Sequence, residues 1–231
     1  KGVRIKGEKI MVMNEQKGNM YGFVSHTWNA VKGKCSHDCA YCYMKRFPQN
    51  PIRLDVGELK TNLGENNFIF VGSSTDMFAD DVPTEWIELV LIHCRQFDNT
   101  YLFQSKNPKR FLEFVDKFPI NTVLGTTIET DNNKFEYNAQ SMVGRMDSLS
   151  DIKLCRFRRM VTIEPIIDFN TSGLVYLIKQ IRPEFVNIGA DSTNNNLPEP
   201  TPFKVECLVK ELEKFTKVKI KDNFKRIKDS E

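Results

Sequence analysis

Six short apolar runs punctuate the chain: GFVSHTW (22–28), NFIFVG (67–72), TYLFQS (100–105), TVLGTTIE (122–129), RRMVTIEPI (158–166) and FVNIGA (185–190). Most are near-continuous in hydrophobicity, as expected of strands covered on both faces in a parallel sheet. Between them, apolar residues recur at helical spacing. Pro83 opens a segment in which Trp86, Ile87, Val90, Leu91, Cys94 and Phe97 share one face. Asn107 and Pro108 start a second, with Phe111, Leu112, Val115 and Phe118 on its stripe. Thr171 caps a third through Leu174, Leu177, Ile178 and Ile181; Thr201 and Pro202 open a fourth through Val205, Leu208, Val209, Leu212 and Phe215. The alternation predicts an α/β fold of βα units, its parallel sheet either wound on both faces or curled into a full or partial barrel. Either way ligands gather at the carboxyl ends of the strands, so the polar residues there are the first candidates for function.

Composition narrows the class. The 231 residues are 40% hydrophobic and 27% charged, suited to one domain spanning residues 1–231. No apolar run reaches the roughly 18–20 residues of a membrane span, and no apolar signal region follows the basic start KGVRIKGEKI. A net charge of +3 is too mild to indicate a dedicated nucleic-acid binder. The basic C-terminal segment 217–231, KVKIKDNFKRIKDSE, is expected to be a solvated face or a tail. Six cysteines in a chain of this size point away from a disulfide scaffold and towards a reducing, cytoplasmic setting.

Three of those cysteines, Cys35, Cys39 and Cys42, fall within the loop GKCSHDCAYCYMKRF (33–47), directly after the first predicted strand. Clustered thiolates select iron–sulfur clusters, zinc or copper(I). A structural zinc site wants four closed ligands, usually in two pairs, and no second CxxC pair exists: Cys94 lies on an apolar helix face, while Cys155 and Cys207 are isolated. A non-catalytic zinc module, completed by one other ligand, is the alternative. A [4Fe–4S] cluster held by three cysteines instead leaves one iron with an open position, which accounts for three ligands rather than four.

The spacing Cys35-x3-Cys39-x2-Cys42, with Tyr41 immediately before the last cysteine, resembles the signature of the radical S-adenosylmethionine (radical SAM) superfamily. HTWNAVKGKCSHDCAYCY, FVGSSTDMFADDVPTEWI, FQSKNP, LGTTIE and VTIEPI resemble successive blocks of an uncharacterised, phage-associated branch of it. The chain departs from that branch where Ser105-Lys106-Asn107-Pro108 replaces a Thr-Lys-Arg-Pro block. The loop CSHDCAYCY is more similar to that of spore photoproduct lyase, a DNA-repair member of the superfamily.

The resemblance implies a partial (βα)6 barrel with outer helices and the cluster loop at its open top. It also implies SAM on the open iron, cleaved by one electron to methionine and a 5′-deoxyadenosyl radical that abstracts a substrate hydrogen. A one-electron donor such as flavodoxin or ferredoxin would reduce the cluster. Cys35, Cys39 and Cys42 become the cluster ligands. Tyr41 would face the adenine, Ser73, Ser74 and Thr75 the SAM amino group, Lys106 its carboxylate, and Thr127 and Glu129 the ribose. Glu164, a carboxylate within an apolar run, needs either an internal lysine or arginine or the ligand itself as partner. Trp28 and Asn29 are expected beside the cluster; Asp191 and Asn194 to Asn196 either line the substrate opening or form an Asn-rich turn. Cys155, among Arg156, Arg158 and Arg159, is read as a hydrogen donor to a substrate radical or else as an ordinary surface thiol. The substrate is either a nucleic acid or nucleotide, or a small molecule or peptide.

Overall fold

The computed structural model describes residues 2–5, 8–11, 13–16, 20–132, 138–193 and 195–228. Seven parallel strands run in sequence order across one sheet: β1 (His26–Trp28), β2 (Phe68–Val71), β3 (Thr100–Gln104), β4 (Thr122–Thr127), β5 (Arg158–Ile163), β6 (Phe185–Ile188) and β7 (Lys217–Ile220). A two-residue strand, Asn14–Glu15, lies antiparallel on the free edge of β1. Helices α1 (Thr84–Cys94), α2 (Met142–Ser150), α3 (Thr171–Ile181) and α4 (Pro202–Leu212) fill four of the connections. The six predicted strands are all present.

The sheet is curled. Phe23 lies with its ring centroid 5.0 Å from those of both Phe68 and Phe185, at the starts of β2 and β6. Those strands are four places apart, roughly 19 Å across a flat sheet, so one ring reaches both only if the sheet bends around it. Tyr21, Val24, Phe70, Leu102, Val123, Met160 and Phe185 form this inner cluster. A larger cluster, which includes Phe78, Leu91, Phe103, Leu124, Ile163 and Ile178, lies between the other face and the helices. Strands β1 and β7 do not pair with each other, so the barrel is partial.

Four local expectations are corrected. The basic run at 217 forms β7, a strand that is mostly solvent-exposed, rather than a tail, although residues 229–231 lie outside the described residues. Val218 packs on the outer core, while Lys219 places its ammonium 4.3 and 4.6 Å from the ring centroids of Phe23 and Phe185. Lysines on this edge also discourage further strand pairing. The segment after Asn107 is a 3-10 helix, Pro108–Phe114, and Asn107 does not cap it: its amide donates to the Phe78 carbonyl at 3.1 Å and to Asp80 Oδ1 at 2.7 Å. Asn170, not Thr171, caps α3 by accepting from the Gly173 amide at 3.1 Å. Helix α2, absent from the sequence reading, is capped by Ser141. Among the described residues no helix is long and apolar enough to cross a membrane.

Candidate functional site

The cysteine loop leaves the barrel after β1 and is pinched at its base by a two-residue antiparallel ladder, Val31–Lys32 against Arg53–Leu54. Gly33 takes φ +114°, and a Cβ there would stand 2.4 Å from the Pro51 carbonyl oxygen, so glycine is required at this crossing. Side-chain contacts fasten the loop to the segment after β2. Thr75 Oγ1 donates to the Gly33 carbonyl at 2.9 Å, Ser36 Oγ donates to Asp81 Oδ1 at 2.7 Å, and His37 Nε2 lies 2.8 Å from Asp76 Oδ2. The other ring nitrogen of His37 faces the Asn138 carbonyl at 3.2 Å, so the imidazolium satisfies both acceptors. Burial opposes that charge, and the Asp76 carboxylate overcomes it, raising the His37 pKa. Asp76 also accepts from Ser105 Oγ and from the Lys106 amide, each at 2.9 Å, which couples the loop to the end of β3.

Cys39 is buried, and Cys35 and Cys42 are half-buried. Burial, with the Asp76 carboxylate nearby, pushes the Cys35 thiol up to about 12, and burial raises Cys39 as well. Buried thiols of this kind are poor anions until a positively charged centre draws off their protons. Among the described residues no three His, Cys, Asp or Glu side chains converge on a single-ion position.

Beneath the loop, Lys106 donates to both Tyr41 Oη and Glu129 Oε1, and the Tyr41 hydroxyl donates to the same carboxylate oxygen. Arg145 Nη1, from α2, holds the other oxygen of Glu129 at 2.9 Å and the Thr127 carbonyl at 2.9 Å. Glu129 and Arg145 are almost fully buried. Burial raises the Glu129 carboxyl, but Lys106 and Arg145 outweigh it and bring the pKa to about 2. At the end of β2, Asn29 Oδ1 accepts from the Ser74 amide at 3.0 Å and its amide donates to Ser73 Oγ at 3.2 Å. Tyr43 Oη donates to the Ser73 carbonyl at 2.9 Å. Thr127 Oγ1 accepts from Gln104 at 3.3 Å, whose Oε1 accepts from Tyr21 Oη at 2.8 Å.

Across the mouth, Lys221, one residue beyond β7, grips Glu164 with its Nζ at 2.9 and 2.7 Å from the two carboxylate oxygens. The required partner of Glu164 is thus an internal lysine. One cavity of about 550 Å³ is lined by Cys35, Cys39, Cys42, Tyr41, Ser73, Ser74, Lys106, Thr127, Glu164 and Lys221 together. Glu129 lies directly behind it, bonded to Lys106.

Other predicted residues fall elsewhere. Cys155 is exposed and precedes β5, at the amino end of the strands, so the structure does not bring it to the cavity. Trp28 is buried in the outer core beside His93 rather than lining the cavity. Asp191 borders the cavity, yet its carboxylate is used to order its own turn, accepting from the Thr193 amide at 3.1 Å and from Asn195 Nδ2 at 2.7 Å. Asn194 lies outside the described residues. Four contributors were missed: Arg145, Lys221, Asp76 as partner of His37, and Asn29 as the clamp on Ser73 and Ser74. Arg145 had a signal: it sits on the same helical face as Met142, Met146 and Leu149, a charge on a buried stripe.

The sequence profile of DUF5131, described as a protein of unknown function, matches residues 20–198. The chain belongs to this family. No curated protein matches in sequence. Among solved structures, this family member is similar to a cysteine-to-alanine mutant of spore photoproduct lyase with dinucleoside spore photoproduct (TM-score 0.60, 14% identity, 88% of this chain and 66% of that one). It is also similar to a double mutant of the lyase with bound AdoMet and dinucleoside spore photoproduct (TM-score 0.58, 14% identity, 87% and 64%). A further mutant aligns with TM-score 0.68 at 12% identity, over 90% of this chain and 80% of that one. The chain thus spans about two thirds of the length of the first two. The fold is shared with these radical SAM proteins: a mostly parallel sheet with surrounding helices.

Proposed function

We propose that the chain is a radical SAM enzyme, with a [4Fe–4S] cluster on Cys35, Cys39 and Cys42 and S-adenosylmethionine held beside it. The observation that carries this reading is the meeting of three thiols with polar side chains from several strand ends around one cavity. The donor set fits the group: three clustered sulfur ligands on a braced loop, next to a lysine and two serines suited to an amino-acid carboxylate and amine. Held by Cys35, Cys39 and Cys42, such a cluster would supply the single electron for reductive cleavage of SAM and so the means of abstracting a substrate hydrogen.

The chain's own residues orient and shield. Lys106 offers its ammonium to the methionyl carboxylate, and Ser73 and Ser74, held by Asn29, accept from the amine. Tyr41 sets its ring beside the adenine and Thr127 addresses the ribose, while Glu129, rather than meeting the ribose, holds the Lys106 ammonium and the Tyr41 hydroxyl from behind the cavity wall. Arg145 keeps Glu129 ionised and aimed. The barrel walls exclude water from the radical. A one-electron donor such as flavodoxin or ferredoxin completes the system, and we take the substrate to be a nucleic acid or nucleotide. Supporting the last point, three of the solved lyase structures of like fold carry dinucleoside spore photoproduct.

Anaerobic reconstitution with iron and sulfide tests the reading. The expected result is a brown protein that forms 5′-deoxyadenosine from SAM on reduction, and loses both properties when any one of Cys35, Cys39 or Cys42 is changed to Ala. A colourless protein carrying stoichiometric zinc overturns it.

A further inference from the structure

The cavity has two chemically distinct walls. The cysteines and Lys106 come from the ends of β1 and β3; Glu164, Ser192 and Lys221 come from the ends of β5, β6 and β7. Arg46 of the cysteine loop reaches across to the Thr193 carbonyl at 3.2 Å, so the walls meet at the mouth. The far wall holds its ionic pair rigidly. Glu164 is bound by both Lys221 contacts and by Asn223 Nδ2 at 3.2 Å, and it lies so flat on Gly189 that a Cβ there would stand 2.8 Å from its carboxyl carbon. Asn223 is in turn tied to the Ala190 carbonyl at 2.8 Å and to Ser192 Oγ at 2.9 Å.

A pair with side-chain exposures of only 10% and 17% is an expensive way to hold two strand ends together, because desolvation cancels most of its attraction. Both partners nevertheless face the cavity. A carboxylate beside an ammonium presents an acceptor next to a donor, the complement of a neutral edge that carries an N–H beside a carbonyl or ring nitrogen. Every nucleobase shows such an edge on its pairing side, and enzymes acting on bases read that edge by hydrogen bonds. Tyr43, an exposed aromatic ring, and Met20 line the same cavity and give apolar surface against which a planar ring can pack, whereas the Tyr21 ring is stacked on Phe23 at 5.4 Å and carries the Lys221 ammonium 4.9 Å from its centroid, which helps to fix that lysine.

We propose that the Glu164–Lys221 pair is a nucleobase-reading subsite, Glu164 accepting from the base N–H and Lys221 donating to the adjacent carbonyl or ring nitrogen. This rests on the radical SAM reading for its place in a reaction, and it assigns Glu164 to the substrate rather than to the cofactor.

The test titrates the reconstituted full chain with uridine, 3-methyluridine, guanosine and 1-methylguanosine, read by saturation-transfer NMR, alongside equilibrium binding of SAM. Methylation removes the edge N–H and leaves the ring. The expected result is that uridine or guanosine binds at least tenfold more tightly than its methylated analogue. Glu164→Gln and Lys221→Met should each weaken that binding tenfold while SAM affinity stays within twofold. Equal binding of parent and methylated nucleosides overturns the proposal, as does an absence of nucleoside binding, equal competition by N-acetylalaninamide, or a parallel loss of SAM affinity in both variants. The methylation comparison needs no variant, so it decides even if one fails to fold. If the same samples take up no cluster or SAM, the cofactor reading fails separately, and the nucleoside comparison still stands.

Discussion

At the scale of single residues, the most consequential group is Glu129, a buried carboxylate between two cations. Burial of Lys106 and Arg145 is tolerable only because Glu129 is ionised. Glu129→Gln keeps the shape but leaves both cations uncompensated, and it should cost about 3–5 kcal/mol in urea unfolding. Its pH dependence has a defined sign. The folded pKa of about 2 lies below the ordinary 4.5, so the contribution is complete above about pH 5. It is lost as the pH falls towards 2, and the Gln variant should lack that part of the acid-unfolding profile. Lys106 and Glu129 were both legible as candidates from their places at strand ends. That they bind each other was not legible, because they lie 23 positions apart, across a 3-10 helix and a whole strand.

Elements make sharper comparisons because two residues often compete for one role. Asn170 and Thr171 are both plausible caps for α3, and only the Asn170 side chain accepts from Gly173. Asn170→Ala should therefore cost about 1 kcal/mol, while Thr171→Ala stays within about 0.5 kcal/mol, both by urea denaturation. In the cysteine loop, Gly33→Ala forces a Cβ into the Pro51 backbone and so displaces the loop base. Iron uptake on reconstitution should fall several-fold in this variant; full stoichiometry would show that the ladder does not set the loop. The helices with clear apolar stripes were readable in advance. Strand β7 was not, since four residues with two lysines read as solvated until an adjacent strand and two aromatic rings are there to receive them.

For the molecule as a whole, the outer core and the cavity are mechanically one body. Phe78 is fully buried among Phe103, Phe111, Phe114 and Phe118, and its amide donates to Asp76 Oδ1 at 2.9 Å. Phe78→Ala should cost about 3–5 kcal/mol in stability. Because Asp76 also holds His37 and Lys106, cluster uptake should fall in the same variant, measured as iron per chain. A stability loss with undiminished iron content would separate the two.

The cysteine spacing, the strand–helix alternation and the polar residues at strand ends are local properties, and the sequence by itself determined them. Each depends on residues a few positions apart, where backbone periodicity dictates what faces what. The charge pairing was decided only by tertiary structure. Glu164 meets Lys221 across 57 positions, His37 meets Asp76 across 39, and Glu129 meets Arg145 from a helix whose stripe carries a hidden charge. Which acid answers which base depends on how the sheet curls and which strand ends it brings to one mouth. That curvature is a property of side chains such as Phe23, which packs between strands four places apart.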